Sequence, residues 1–154
     1  ELRQRFLPDA ERCQTLAHSM FDLTWLDVVA QMNKPVIFLA EGVFSYFTEA
    51  EVKGVITALA ARFPGAELVF EVYSSLTANM HKRTSTLLKE TGTRADWAVD
   101  DPHQLEAWGL RLLDKWGYFD QREPRLGVFN LLRYIPLVAN ANFVLRYCLE
   151  PKRL

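Results

Sequence analysis

The stretch Pro35-Val-Ile-Phe-Leu-Ala-Glu-Gly-Val-Phe-Ser-Tyr-Phe47 carries the strongest signal for the fold of this chain. Its first part, Val36 to Ala40, is apolar without polar alternation, which is typical of a strand that is covered on both faces in a parallel sheet. Ligands of open α/β sheets bind beyond the carboxyl ends of the strands, and Glu41 directly follows such an end. The stretch therefore predicts an α/β domain with a ligand site near Glu41.

Length and composition predict one ordinary globular domain over residues 1–154. The chain has 154 residues, of which 49% are hydrophobic and 24% charged, and its formal net charge is -1. That charge gives no electrostatic reason to expect a nucleic acid or an anionic membrane as a partner. The two cysteines, Cys13 and Cys148, are too few and too far apart for a disulfide framework or a zinc site. No apolar run approaches the ~20 residues that span a bilayer, which favours a cytoplasmic protein.

Hydrophobic periodicity and turn residues predict alternating helices and strands. The clearest helix begins after Thr48, because Thr48 and Glu51 have the spacing of a reciprocal capping box. The last two strands are expected to pair antiparallel. In chain order the predicted elements are a helix ending at Pro8, a strand over 15–20, a helix over 23–31, a strand over 36–40, a helix over 48–63, a strand over 66–73, a helix over 80–89, a helix over 102–108, a strand over 110–119, a helix over 126–134 and a strand over 142–149.

Five separated stretches together resemble the leucine carboxyl methyltransferase family and its bacterial relatives, the polyketide O-methyltransferases. They match in the family's order and spacing, at residues 1–8, 21–27, 40–46, 62–70 and 97–102. The resemblance implies a Rossmann-like, class I methyltransferase sheet with S-adenosyl-L-methionine as cofactor. It covers essentially the whole chain, which corresponds to the carboxyl-terminal portion of the family.

The resemblance also implies which residues bind the cofactor. Asp22 would accept a hydrogen bond from the adenine amine, and Leu23 would lie against or near the ring. Glu41 would face the positively charged methionine end, where a carboxylate is electrostatically favoured, and Gly42 would let the backbone approach closely. Structural alternatives remain open, since Asp22 could cap the helix that follows it and Glu41 could be a surface carboxylate at a strand end.

Two further residues are predicted on the acceptor side. Tyr46 could orient an acceptor carboxylate or hydroxyl, although a tyrosine that only packs its ring is an equal alternative. Glu71 is a candidate substrate-side carboxylate at the end of the next strand. No catalytic residue and no metal ligand is predicted, because methyl transfer is a direct displacement that mainly needs the two reactants aligned.

The glycine-rich turn that such enzymes use for their cofactor is missing from the sequence. None of the seven glycines forms a Gly-x-Gly arrangement, and family comparison places Glu1 just beyond the second strand of the sheet. The family strand order would then leave the strand over 15–19 separated from that over 36–40 by two absent strands. We therefore expect strands to pair differently, two copies to form a homodimer or exchange strands, or an upstream segment to complete the sheet.

These observations predict a methyltransferase that acts on oxygen. The expected acceptor is a small molecule with a carboxylate or hydroxyl, and the fragment is expected to be inactive alone. The alternative is a non-catalytic α/β module that kept the methyltransferase fold for packing or for binding a partner.

Overall fold

A computed structural model describes residues 5–6, 8–84, 97–118, 120–121, 123–135 and 141–150. The chain divides into two compact units, Glu1–Asn33 and Lys34–Leu154, and each is described by itself.

The first unit contains one described helix longer than a turn, α1, over Trp25–Gln31. The predicted strand over 15–20 is wrong: these residues form no strand, and Ala10 and Cys13 form only an isolated antiparallel bridge. A strand is stable only beside a partner, and no ladder to residues 15–20 exists among the described residues. The predicted start of the helix at Leu23 is also early, because residues 20–24 are turns.

The second unit is built on a mixed four-stranded sheet. Its strands are β1 (Ile37–Ala40), β2 (Glu67–Tyr73), β3 (Leu110–Gly117) and β4 (Asn142–Leu149), in the order β1-β2-β4-β3. β1 and β2 are parallel, whereas β4 is antiparallel to both β2 and β3. The predicted α/β class and the antiparallel pairing of the last two strands are thus confirmed.

Helix α2 (Glu49–Arg62) connects β1 to β2, as the periodicity predicted. The capping box is present: Thr48 Oγ1 accepts from the Glu51 amide at 3.3 Å, and Glu51 Oε2 accepts from the Thr48 amide at 2.9 Å. These bonds satisfy amides that a helix start would otherwise leave unpaired. The buried residues of α2 recur at helical spacing and are Val52, Val55, Ile56, Leu59 and Ala60.

One face of the sheet forms the core of this unit. Alternate residues of β2 and β4 are buried on it, namely Leu68, Phe70, Val72, Phe143, Leu145, Tyr147 and Leu149. The Phe70 ring stacks on Tyr147 with centroids 5.7 Å apart and on Trp97 at 5.9 Å. Tyr147 donates its hydroxyl to the carbonyl of Pro102 at 2.8 Å, so this buried hydroxyl is satisfied.

The opposite face of β1 is open, which contradicts the expectation that this strand is covered on both faces. Ile37 is 62% exposed and Leu39 is 75% exposed, whereas Phe38 packs edge-on against Phe63. Within the described residues β1 pairs with β2 only, and it is therefore the edge of the sheet.

The remaining elements are shorter. Helix α3 covers Ser75–Thr84, and the rest of the helix predicted over 80–89 lies outside the described residues. The helix predicted over 102–108 is a 3-10 helix, Pro102–Trp108, with Asp101 accepting from the His103 amide at 2.9 Å. The helix predicted over 126–134 is also 3-10, Pro124–Tyr134, and is broken at Gly127. No helix in the described ranges is long and apolar enough to span a membrane.

Candidate functional site

A cleft lies on the open face of the sheet, at the carboxyl ends of β1 and β2. Its volume is about 210 Å³. β3 runs in the same direction as β2, because β4 is antiparallel to both, and so its carboxyl end reaches the same edge. The lining residues are Leu39, Ala40, Glu41, Val69, Phe70, Glu71, Tyr118 and Val144. Among the residues that the structure describes, the lining contains two carboxylates and no lysine, arginine or histidine.

The Glu71 carboxylate joins two other segments of the cleft. Its Oε1 accepts a hydrogen bond from the Gly42 amide at 2.9 Å, and its Oε2 accepts one from the Tyr118 hydroxyl at 2.8 Å. Gly42 follows β1 and Tyr118 follows β3, whereas Glu71 lies within β2. One side chain of β2 thus connects the residues that follow β1 and β3.

Glu41 is the other carboxylate of the cleft, and its side chain is available to a ligand. It is exposed and forms no hydrogen bond or ion pair with any residue that the structure describes. The backbone turns immediately after it, since Gly42 has φ of +61°, a left-handed conformation that favours glycine. The sequence at the end of β1 therefore directs Glu41 outward.

Two tyrosines, Tyr118 and Tyr73, have raised pKa values. The hydrogen bond to Glu71 raises the pKa of Tyr118 to about 12, with smaller contributions from burial and from the Glu71 charge. Burial, followed by the negative charge of Glu71, also raises the pKa of Tyr73 at the end of β2. Both phenols remain protonated at neutral pH and are hydrogen-bond donors there.

Tyr46 lies beside this cleft and not in its lining. It ends the 3-10 turn Phe44–Tyr46, whose first two residues are buried, and its own side chain is 41% exposed. Phe44 fixes the turn by packing edge-on against Phe70 at 5.4 Å. After burial and the Glu71 charge, Tyr46 makes a smaller contribution to the raised pKa of Tyr73. Its role toward an acceptor stays a prediction.

Asp22 and Leu23 belong to the first unit. Asp22 Oδ1 accepts from the Thr24 amide at 3.2 Å and from the Thr24 hydroxyl at 2.7 Å, and Oδ2 lies 3.3 Å from His18 Nδ1. The Thr24 hydroxyl is the main reason that the pKa of Asp22 is lowered. This local role is close to the capping alternative, although the helix begins at Trp25 and Thr24 is its N-cap residue. Leu23 is 40% exposed. The adenine role of both residues stays a prediction.

Of the predicted residues, the structure thus brings Glu41, Gly42 and Glu71 together and adds Tyr118, which sequence reasoning missed. Tyr118 fell inside a strand predicted to continue to Phe119, a residue outside the described ranges, whereas β3 ends at Gly117. Gly117 was the sequence signal for the end of this strand. A residue that follows a strand parallel to β2 lies at the same edge as the acidic residues.

Comparisons with known proteins give one related sequence. Over 155 aligned positions the chain is 29% identical to the tetracenomycin polyketide synthesis O-methyltransferase TcmP of Streptomyces glaucescens. The match covers 96% of this chain and 57% of that protein. No protein-family model matches the chain.

Solved structures with a similar fold share less sequence. A DUF574 family protein from Streptomyces avermitilis superposes with a TM-score of 0.57 and 12% identity, over 85% of this chain and 53% of that one. An O-methyltransferase family protein from Burkholderia thailandensis gives a TM-score of 0.48 and 12% identity, over 92% of this chain and 37% of that one. The likeness to the first of these supports the Rossmann-like fold.

The chain spans little more than half the length of TcmP and of the Streptomyces avermitilis protein, at 57% and 53%. The alignment to TcmP covers 96% of this sequence. The resemblance to polyketide O-methyltransferases that was predicted from the sequence is therefore confirmed.

Proposed function

We propose that this chain forms part of an S-adenosylmethionine-dependent O-methyltransferase, with a small molecule as methyl acceptor. The relationship to TcmP supports methyl transfer as the reaction class. The observation that carries the proposal is the free carboxylate of Glu41, which lines a cleft at the carboxyl ends of parallel strands and has no partner among the described residues.

The residues of the cleft fit the charged end of this cofactor. Its methionine part carries a sulfonium, an ammonium and a carboxylate group, and the described lining residues supply two carboxylates that can face the two positive groups. Glu41 would pair with the ammonium group, which S-adenosylhomocysteine also carries, and Gly42 would allow the ligand to approach the backbone. For the adenine end we propose Asp22 and Leu23, on the family resemblance alone.

Methyl transfer requires little covalent chemistry from the protein. When bound, the cofactor supplies a methyl group already activated for direct displacement. The chain's own residues would hold the reactants in line, with Tyr46 orienting the acceptor oxygen. The hydroxyl of Tyr118 is neutral at neutral pH and donates to Glu71, and this hydrogen bond raises its pKa to about 12, so Tyr118 stays protonated further into the alkaline range.

Calorimetric titration with S-adenosylhomocysteine tests the proposal on the complete gene product that contains this sequence. We expect saturable binding to the wild type and about 10-fold to 100-fold weaker binding to Glu41→Gln, because a charge-assisted contact is lost. Glu49→Gln is the matched control: it removes an exposed charge in α2, outside the lining of the cleft, and should leave the affinity unchanged.

Two results would count against this function. Wild-type protein that shows no saturable binding would favour the non-catalytic module. Equal affinities for wild type and Glu41→Gln would mean that Glu41 does not contact the cofactor. They would not contradict methyl transfer as the reaction class.

A further inference from the structure

We propose that Glu71 is a positioning residue that fixes the Glu41-Gly42 turn and Tyr118 at the cleft, and does not itself contact the methyl acceptor. Its effect on ligand binding rests on the function proposed above, whereas its effect on the turn does not. The assignment differs from the substrate-side role that the sequence predicted for Glu71.

The geometry separates the roles of the two carboxylates. Each oxygen of Glu71 already accepts a hydrogen bond from within the protein, at 2.9 Å from Gly42 and 2.8 Å from Tyr118. Glu41 has no such partner among the described residues. These two hydrogen bonds hold the Glu71 carboxylate in place, although each oxygen keeps a lone pair, whereas no described residue holds the Glu41 carboxylate. Glu71 therefore supports the site, and Glu41 contacts the ligand.

The hydrogen bond to Gly42 determines where Glu41 points. Gly42 is adjacent to Glu41 and has φ of +61°, so a different backbone conformation here would reorient the Glu41 side chain. The acceptor that fixes this amide comes from β2, 29 residues away in sequence. Tyr118, 47 residues from Glu71, restrains the same carboxylate from the end of β3. Removing Glu71 would release the turn and lower the population of the binding geometry.

Isosteric and truncating variants distinguish positioning from direct contact. In Glu71→Gln the amide oxygen can still accept from Gly42, and the amide nitrogen can donate to the Tyr118 oxygen. We expect Glu71→Gln to bind S-adenosylhomocysteine within about 3-fold of wild type, and Glu71→Ala to bind about 10-fold to 100-fold more weakly. Tyr118→Phe should fall between them, and Tyr134→Phe, an exposed tyrosine outside the cleft lining, should not change the affinity.

Amide hydrogen exchange in the ligand-free protein supplies a second measurement that is independent of the cofactor. The Gly42 amide should exchange about 10-fold or more faster in Glu71→Ala than in wild type or Glu71→Gln, because its acceptor is gone. Faster Gly42 exchange in a protein that never binds S-adenosylhomocysteine would support the positioning role while the proposed function fails.

The opposite pattern overturns the inference. If Glu71→Gln binds S-adenosylhomocysteine as weakly as Glu71→Ala does, the Glu71 charge contacts the ligand directly. Unchanged Gly42 exchange in Glu71→Ala would mean that the hydrogen bond does not hold the turn. If Glu71→Ala fails to fold, Tyr118→Phe provides the test. The proposal would be contradicted if Tyr118→Phe bound S-adenosylhomocysteine as tightly as Tyr134→Phe and its Gly42 amide exchanged at the wild-type rate.

Discussion

At the scale of single residues, the cleft is organised by one acceptor and its two donors. Glu71 accepts hydrogen bonds from Gly42 and Tyr118, and the bond from the phenol raises the pKa of Tyr118. A carboxylate stabilises the neutral phenol as a donor and opposes the phenolate by repulsion. The same contact therefore affects both geometry and ionisation.

The ionisation of Tyr118 provides the first prediction. In wild type its pKa is about 12, above the ordinary value of 10.0. In Glu71→Gln the negative charge is gone, so we expect the pKa of Tyr118 to fall toward its ordinary value. Carbon NMR of tyrosine labelled at the phenolic carbon, titrated from neutral to alkaline pH, would measure the change.

The shift also links Tyr118 to alkaline stability. Because the folded pKa is raised, the contribution of Tyr118 is fully present below pH 10.0 and is lost as the pH rises toward about 12. The free energy of unfolding of wild type should therefore decrease over this interval more steeply than that of Tyr118→Phe. Equal slopes, or a pKa of Tyr118 unchanged in Glu71→Gln, would contradict the assigned cause.

At the scale of elements, α2 was predictable because its signals are local. The cap at Thr48, the apolar spacing and the stop at Pro64-Gly65 all act within the helix or next to it, and the structure reproduces them. The strand predicted over 15–20 failed for the opposite reason. A strand depends on a partner elsewhere in the chain, and the local sequence does not show whether that partner is present.

The same distinction explains which parts of the cleft could be foreseen. Glu41 and Glu71 were predicted at strand ends, and the parallel pairing of β1 with β2 brings those ends together. Tyr118 could not be selected, because its place depends on β4 lying between β2 and β3. That order follows from long-range packing, which a single sequence pattern does not contain.

The capping box provides a stability prediction at this scale. Thr48→Ala removes the side-chain oxygen that accepts from the Glu51 amide, and loss of such a cap costs about 1 kcal/mol. Thr57→Ala is the control in the same helix: the Thr57 hydroxyl bonds only to carbonyls of the preceding turn, so this change should be near neutral. Urea unfolding of the three proteins would measure the difference. Equal losses in both variants would show that the cap does not stabilise α2.

At the scale of the whole molecule, the open edge of the sheet determines how this chain behaves on its own. Within the described residues β1 pairs on one side only, and Ile37 and Leu39 expose most of their apolar surface beside it. Exposed apolar strand edges favour pairing with a second chain. The homodimer or strand exchange predicted from the sequence thus remains our proposal for the isolated 154 residues.

A charged residue at this edge tests the proposal. Expressed alone, the chain should associate more as its concentration rises, and Ile37→Lys should weaken that association by about 10-fold, since a lysine at a strand edge opposes pairing. Val128→Lys is the matched control, because Val128 is 77% exposed and lies in the 3-10 segment Pro124–Tyr134, which is not a strand of the sheet. Light scattering after size-exclusion chromatography, over a range of concentrations, would report the masses. A wild type that stays monomeric throughout would refute edge pairing, and equal dissociation of both lysine variants would assign the association to general apolar exposure and not to β1.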